Sequence, residues 1–143
     1  MKLKDIMTKN VECVHPGDTL QEAARKMKDL DVGPMPVCGE NDKLVGMLTD
    51  RDITIRAAAQ GWDPKTTKVQ DTMTKEVVWC FDDQDAEDAA RLMQERQIRR
   101  LLIMNHDERL VGIVSLGDLV TEGARKQAGE TLRAVSEPSA PRR

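Results

Sequence analysis

Apolar and polar residues alternate along this chain with two different periods, and one succession of them occurs twice. Leu20, Ala23, Ala24, Met27 and Leu30 recur at helical spacing and predict a single apolar stripe. Thr19 and Glu22 stand three residues apart at its start, the spacing of a capping box in which each side chain satisfies the other's backbone N–H. Two apolar runs follow, Met35–Cys38 and Leu44–Leu48, separated by polar residues 39–43; they predict a β-hairpin. A further helix is predicted from near Thr49 through Ala57, Ala58 and Ala59, with Gly61 as its C-cap. Ahead of all these, Val11–Val14 predicts a short strand, so the order is β-α-β-β-α.

The second succession lies 66 residues on. That shift aligns 5–58 with 71–124 without a gap, and fourteen of the 54 pairs are identical. Asp71, Met73, Thr74, Lys75 and Val77 repeat Asp5, Met7, Thr8, Lys9 and Val11. Ala89, Ala90, Arg91 and Met93 repeat the first helix, and Leu110, Val111 and Gly112 repeat the second hairpin strand. Val77–Phe81 is the matching first strand, Asp85 and Asp88 offer a looser capping box, and a last helix is predicted from near Ser115. One copy of about 55 residues buries little surface alone, so two copies sharing a core are expected. The boundaries read as 1–61 for the first repeat, 62–70 for a linker, 71–124 for the second repeat, and 125–143 for a helix extension and disordered tail.

Composition narrows the function. Charge is nearly balanced, 22 basic against 25 acidic residues for a formal −3, so no cationic excess is available to neutralise a nucleic-acid backbone. Trp62, Trp79 and Phe81 are the only large aromatics, too few for a base-stacking platform. No apolar run approaches the roughly 20 residues of a membrane helix, and the start carries no signal-peptide pattern, which points to the cytoplasm. Cys13, Cys38 and Cys80 form no CxxC pair, and with only His15 and His106 no metal site is expected. Cys13 and Cys38 can form a disulfide if they sit on neighbouring strands, although a reducing compartment opposes it. No nucleophile–base pair or P-loop lysine motif is identifiable, so no catalytic residue and no enzyme activity are expected.

The chemistry worth attention lies where the second hairpin strand meets the last helix. Thr49 with Asp52, and Ser115 with Asp118, are each three apart, the spacing of N-capping pairs; ligand contact is a second reading, and the two roles can coexist. Free N–H groups and a partial positive charge at such a junction favour phosphate.

These segments, Gly46-Met47-Leu48-Thr49-Asp50-Arg51-Asp52 and Gly112-Ile113-Val114-Ser115-Leu116-Gly117-Asp118, resemble the Gly-x-x-[Thr/Ser]-x-x-Asp motif of CBS repeats. Met-Thr-Lys before the first strand and the Ala-Ala helix belong to the same resemblance, which covers about residues 5–124. It implies an α/β (α+β) fold of two repeats packed as a pseudo-two-fold pair, non-catalytic and without a cofactor. It further implies a cleft for adenine nucleotides or related adenosyl ligands such as AMP, ATP or S-adenosylmethionine, a homodimer, and signalling to a downstream protein. Asp52 and Asp118 would hold ribose, and Thr49 and Ser115 would bond ribose or phosphate. Arg99 and Arg100 match the family's phosphate-reaching basic pair, whereas the first copy has Gly33-Pro34 there and offers Lys9 and Arg51 as its nearest cations. Lys75, Val11, Val77, Pro36 and Leu101 complete the expected lining. The second copy departs at Leu102, where the first has Pro36, and at Gly117, where the first has Arg51, so unequal sites are expected. The alternative function is a structural dimerisation module with a vestigial cleft.

Overall fold

Helix α1 (Leu20–Leu30) starts where the capping box places it. In the computed structural model, which describes residues 1–121, the Glu22 N–H donates to Thr19 Oγ1 at 3.1 Å and the Thr19 N–H to Glu22 Oε1 at 3.3 Å. Leu20, Ala23 and Met27 are buried, while Ala24 and Leu30 face solvent. The stripe is therefore narrower than its spacing predicts. The apolar face packs in one cluster with β1 (Met35–Cys38) and β2 (Leu44–Leu48), an antiparallel pair that forms a sheet of only two strands. A predicted third strand, Val11–Val14, is reduced to one parallel bridge between Val14 and Val37. One competitor for its backbone is visible: the Lys26 ammonium takes the Cys13 carbonyl at 2.8 Å.

After β2 the chain enters α2 (Asp50–Asp52) and continues as a π-helical stretch, Ile53–Ala58, ending in a turn at Gly61 with φ +75°. The residues read as a linker do not run free. Pro64 and Thr67 carbonyls accept from the Gln21 and Leu20 N–H groups, and Val69 is fully buried beside Leu20 and Val37. Thr74 then pairs with Met47 in both directions, at 2.8 and 2.9 Å. Gly46 permits that approach, because a Cβ there would lie 2.9 Å from the Thr74 carbonyl oxygen.

Glu12–Val77 thus closes into one compact unit. The other consists of Met1–Val11 together with the chain from Val78. In it β3 (Trp79–Phe81) runs parallel to β4 (Arg100–Met104), which pairs antiparallel with β5 (Leu110–Ser115). Helix α3 (Ala86–Arg96) buries Ala86, Ala89, Ala90 and Met93 in the same cluster as Leu101 and Ile103. Helix α4 is described over Leu116–Thr121. The N-terminal segment supplies Leu3 and Ile6 to this core, and Thr8 bridges Ile113 as Thr74 bridges Met47.

Each compact unit therefore takes its leading segment from the opposite sequence repeat. Both have the mixed α/β character expected of the chain. No helix among the described residues is long and apolar enough to cross a membrane. The expected extension and tail, 125–143, and the last three residues of the second repeat lie outside the described residues.

Candidate functional site

Two strand-to-helix junctions carry the candidate chemistry, one in each unit. In the unit that contains α4, β4 and β5 bring Arg100 directly opposite Ser115. The Arg99 carbonyl accepts the Leu116 N–H at 2.9 Å, which ties the basic pair to the first residue of α4. Ser115 and Asp118 close a reciprocal cap: the Ser115 N–H donates to Asp118 Oδ2 at 2.8 Å, and the Asp118 N–H to Ser115 Oγ at 3.2 Å. This leaves the Ser115 hydroxyl proton and the second carboxylate oxygen without a partner among the described residues. Arg99 and Arg100 are exposed and Asp118 is half-buried, so a ligand phosphate can approach the former while the latter stays fixed. Leu101, expected in the lining, is buried in the core on the central strand of its sheet.

The second junction follows β2. Thr49 and Asp52 form the same cap, at 3.1 Å from the Thr49 N–H to Asp52 Oδ2 and 3.0 Å from the Asp52 N–H to Thr49 Oγ1. Both motifs are thus real capping boxes, and a ligand role would use what the caps leave over. Less is left here. Asp52 Oδ1 lies 3.9 Å from Arg56 Nε, and Arg56 Nη1 donates to the Thr72 and Met73 carbonyls at 3.2 and 3.3 Å. Pro36 is buried on β1, and Arg51 is exposed with no ion pair among the described residues.

The backbone anchoring at this junction is conserved between the copies, but its charge is not. The Gly33 carbonyl accepts the Asp50 N–H at 3.2 Å, as Arg99 accepts from Leu116. Asp50, however, places its carboxylate where a side chain at position 33 would stand: a Cβ on Gly33 would lie 3.0 Å from Asp50 Oδ1. One junction therefore presents two guanidinium groups, and the other an acid in the corresponding region. Sequence comparison passed over Asp50 and Arg56. The replacement of Asp50 by Leu116 in the second copy was the visible signal for the first, and the four-residue spacing from Asp52 for the second.

The leading segments are distributed against the repeat order. Lys9 and Val11 belong to the unit with Arg99, Arg100, Leu101, Ser115 and Asp118, whereas Lys75 and Val77 belong with Pro36, Thr49, Arg51 and Asp52. Lys9, expected as a nearest cation of the first-copy junction, thus lies in the unit that carries the second-copy junction. Thr8 is bridged to β5 and Thr74 to β2, which carries each lysine into the other copy's unit. Both lysines are exposed, and both valines are half-buried. Among the described residues no group of three or more His, Cys, Asp or Glu is placed to hold a metal ion.

Comparison with known proteins agrees with this architecture. The CBS domain family matches residues 3–58 and 69–125. CBS domain-containing protein YhcV of Bacillus subtilis is 47% identical over 135 residues, 94% of each chain. Among solved structures, Hypoxic Response Protein I with two coordinated zinc ions superposes with a TM-score of 0.76 at 36% identity, covering 85% of this chain and 98% of that one. CBSX2 in complex with AMP gives 0.71 at 28% identity over 88% and 98%. The CBS domain pair of MJ0100 with 5-methylthioadenosine and S-adenosyl-L-methionine gives 0.69 at 27% over 85% and 98%.

Proposed function

The chain belongs to the CBS domain family, and from that premise we propose that it is a non-catalytic regulatory module whose two strand-to-helix junctions bind adenosyl ligands and report their presence to a partner protein. The supporting observation is the junction at β5 and α4. There Asp118, held in place through one carboxylate oxygen, keeps the other for a ribose hydroxyl, beside Ser115 and two exposed arginines. Solved relatives that carry AMP, 5-methylthioadenosine or S-adenosyl-L-methionine supply the ligand class.

The two junctions select by charge. Arg99 and Arg100 favour a phosphorylated ligand such as AMP or ATP. Asp50 and the Arg56-engaged Asp52 favour a neutral or cationic adenosyl ligand, because an additional carboxylate raises the cost of bringing in a phosphate. The module acts in the cytoplasm as a homodimer, and its signal is limited by the ligand's differential affinity for the module's conformations.

A thermal-shift panel of AMP, ATP, 5-methylthioadenosine and S-adenosylmethionine tests this. A true ligand at a hundred times its Kd adds about 2.7 kcal/mol of stability. Asp118→Asn, which retains an oxygen for the Ser115 N–H, is expected to abolish the AMP response with little change in unliganded stability. Asp50→Leu should increase phosphate tolerance at the other junction. A flat response across all four ligands would sink the proposal and leave a structural dimerisation module in its place.

A further inference from the structure

The unit Glu12–Val77 contains a cysteine pair that the ligand junction does not use. Val14 and Val37 are bridged in parallel, with hydrogen bonds from the Val14 N–H to the Pro36 carbonyl at 3.0 Å and from the Cys38 N–H to the Val14 carbonyl at 2.9 Å; Cys13 precedes the one valine and Cys38 follows the other, so the two cysteines lie diagonally across the bridge. Both are free thiols, close enough to share a hydrogen bond. Cys13 is half-buried and reachable by a small oxidant, while Cys38 is buried behind it. The shared hydrogen bond from Cys38 holds Cys13 down at about 7; the charges of His15 and Lys26 also lower it, against burial and Asp42, which push it up. Cys38 is pushed the opposite way by the same hydrogen bond, by burial, and by the charges of Cys13 and Asp42. This division gives a partly ionised Cys13 beside a protonated partner at neutral pH. The other copy has Trp79 and Met104 at the equivalent positions, so the device belongs to one unit only.

We propose that Cys13 and Cys38 are a reversible dithiol–disulfide pair oxidised by hydrogen peroxide. The Cys13 thiolate attacks the peroxide; an S–O bond forms, the O–O bond breaks, and the departing hydroxide takes up a proton as water. Cys13 is then a sulfenic acid. The Cys38 sulfur displaces its hydroxyl, which leaves as a second water with the Cys38 proton, and the S–S bond closes. Two thiols are oxidised by two electrons and one peroxide is reduced to two waters. The disulfide fixes β1 to the segment before α1, across the backbone bond that Pro36 accepts.

The full reduced chain, treated with graded hydrogen peroxide, quenched and mapped by mass spectrometry, tests the proposal. Two hydrogens should be lost within one chain, with a linked Cys13–Cys38 peptide, free Cys80, and full return on adding dithiothreitol. The oxidation rate should rise with pH to a half-point near 7. Cys38→Ser should stop at a sulfenic acid trapped by dimedone, and Cys13→Ser should leave Cys38 unreacted on the same time scale. Where Cys38→Ser fails to fold, the wild-type map and pH profile decide alone. Disulfides between chains, equal oxidation of all three cysteines, or Zn²⁺ uptake by both thiols with no linked peptide under peroxide would each overturn it.

Discussion

At the scale of single residues, the two junction aspartates serve the fold before any ligand. Each accepts the N–H of the residue that caps its helix, so truncation to Ala removes a capping interaction typically worth about 1 kcal/mol. Asp118→Ala should therefore lower the urea midpoint of the unliganded protein, and Asp118→Asn should restore most of it; equal midpoints for wild type and Asp118→Ala would refute the cap. A sharper residue effect lies at Gly112. A Cβ there would stand 2.5 Å from Met7 Sδ and 2.9 Å from the Thr8 carbonyl oxygen. The thioether can swing aside, but the carbonyl is held by its bond with Ile113, so Gly112→Ala should cost about 1–3 kcal/mol by denaturation. Cys80 gives a pH effect with a defined sign. Burial, then the charge of Asp88, pushes its thiol up to about 11. A raised acid is held neutral by the fold, so its contribution is intact below the unfolded value near 9 and is lost as pH climbs through about 11. Cys80→Ala should flatten the alkaline fall of the urea midpoint; an unchanged slope would remove Cys80 as its source.

At the scale of elements, much of the fold was legible because it is written in local patterns. Both helices begin at their capping residues, and both hairpins pair as their apolar runs predict. The junction pairs were legible for the same reason, since a three-residue spacing brings their side chains together without help from distant chain. What escaped depends on partners far away in sequence. Ala24 and Ala90 are identical in the repeat, yet Ala24 is exposed and Ala90 is buried, on units with two- and three-stranded sheets respectively. The π-helical register after Asp52 also has no signature in the apolar pattern; Arg56, which bonds both Thr72 and Met73 carbonyls, lies within it. The contrast between the alanines is testable. Ala24→Lys should change stability by no more than about 0.5 kcal/mol, as at an ordinary surface position. Ala90→Lys forces a charge into the core of α3 and should cost several kcal/mol or prevent folding. Equal urea midpoints for the two variants would contradict the burial difference.

At the scale of the whole molecule, sequence repeat and folded unit are different divisions of one chain. A gapless alignment shows which residues are equivalent, but it cannot show which copy a leading segment joins, because residues 1–11 and 67–77 carry nearly the same pattern and suit either core. The structure resolves this with Leu3 and Ile6 in the cluster of α3 and β4, and Val69 in the cluster of α1 and β1. Cooperative stability should follow these clusters and not the repeats. Hydrogen exchange on the full chain distinguishes the two. Leu3→Ala removes a fully buried side chain at a cost of about 2–5 kcal/mol. It should speed exchange in α3 and β3–β5, the elements of the second repeat, and leave α1 and the β1–β2 hairpin protected. Val69→Ala should do the reverse, loosening α1 and the β1–β2 hairpin, although under the 66-residue shift Val69 is the equivalent of Leu3. If Leu3→Ala instead deprotected α1, or both variants loosened every element equally, the exchanged segments would not mark separate cooperative units.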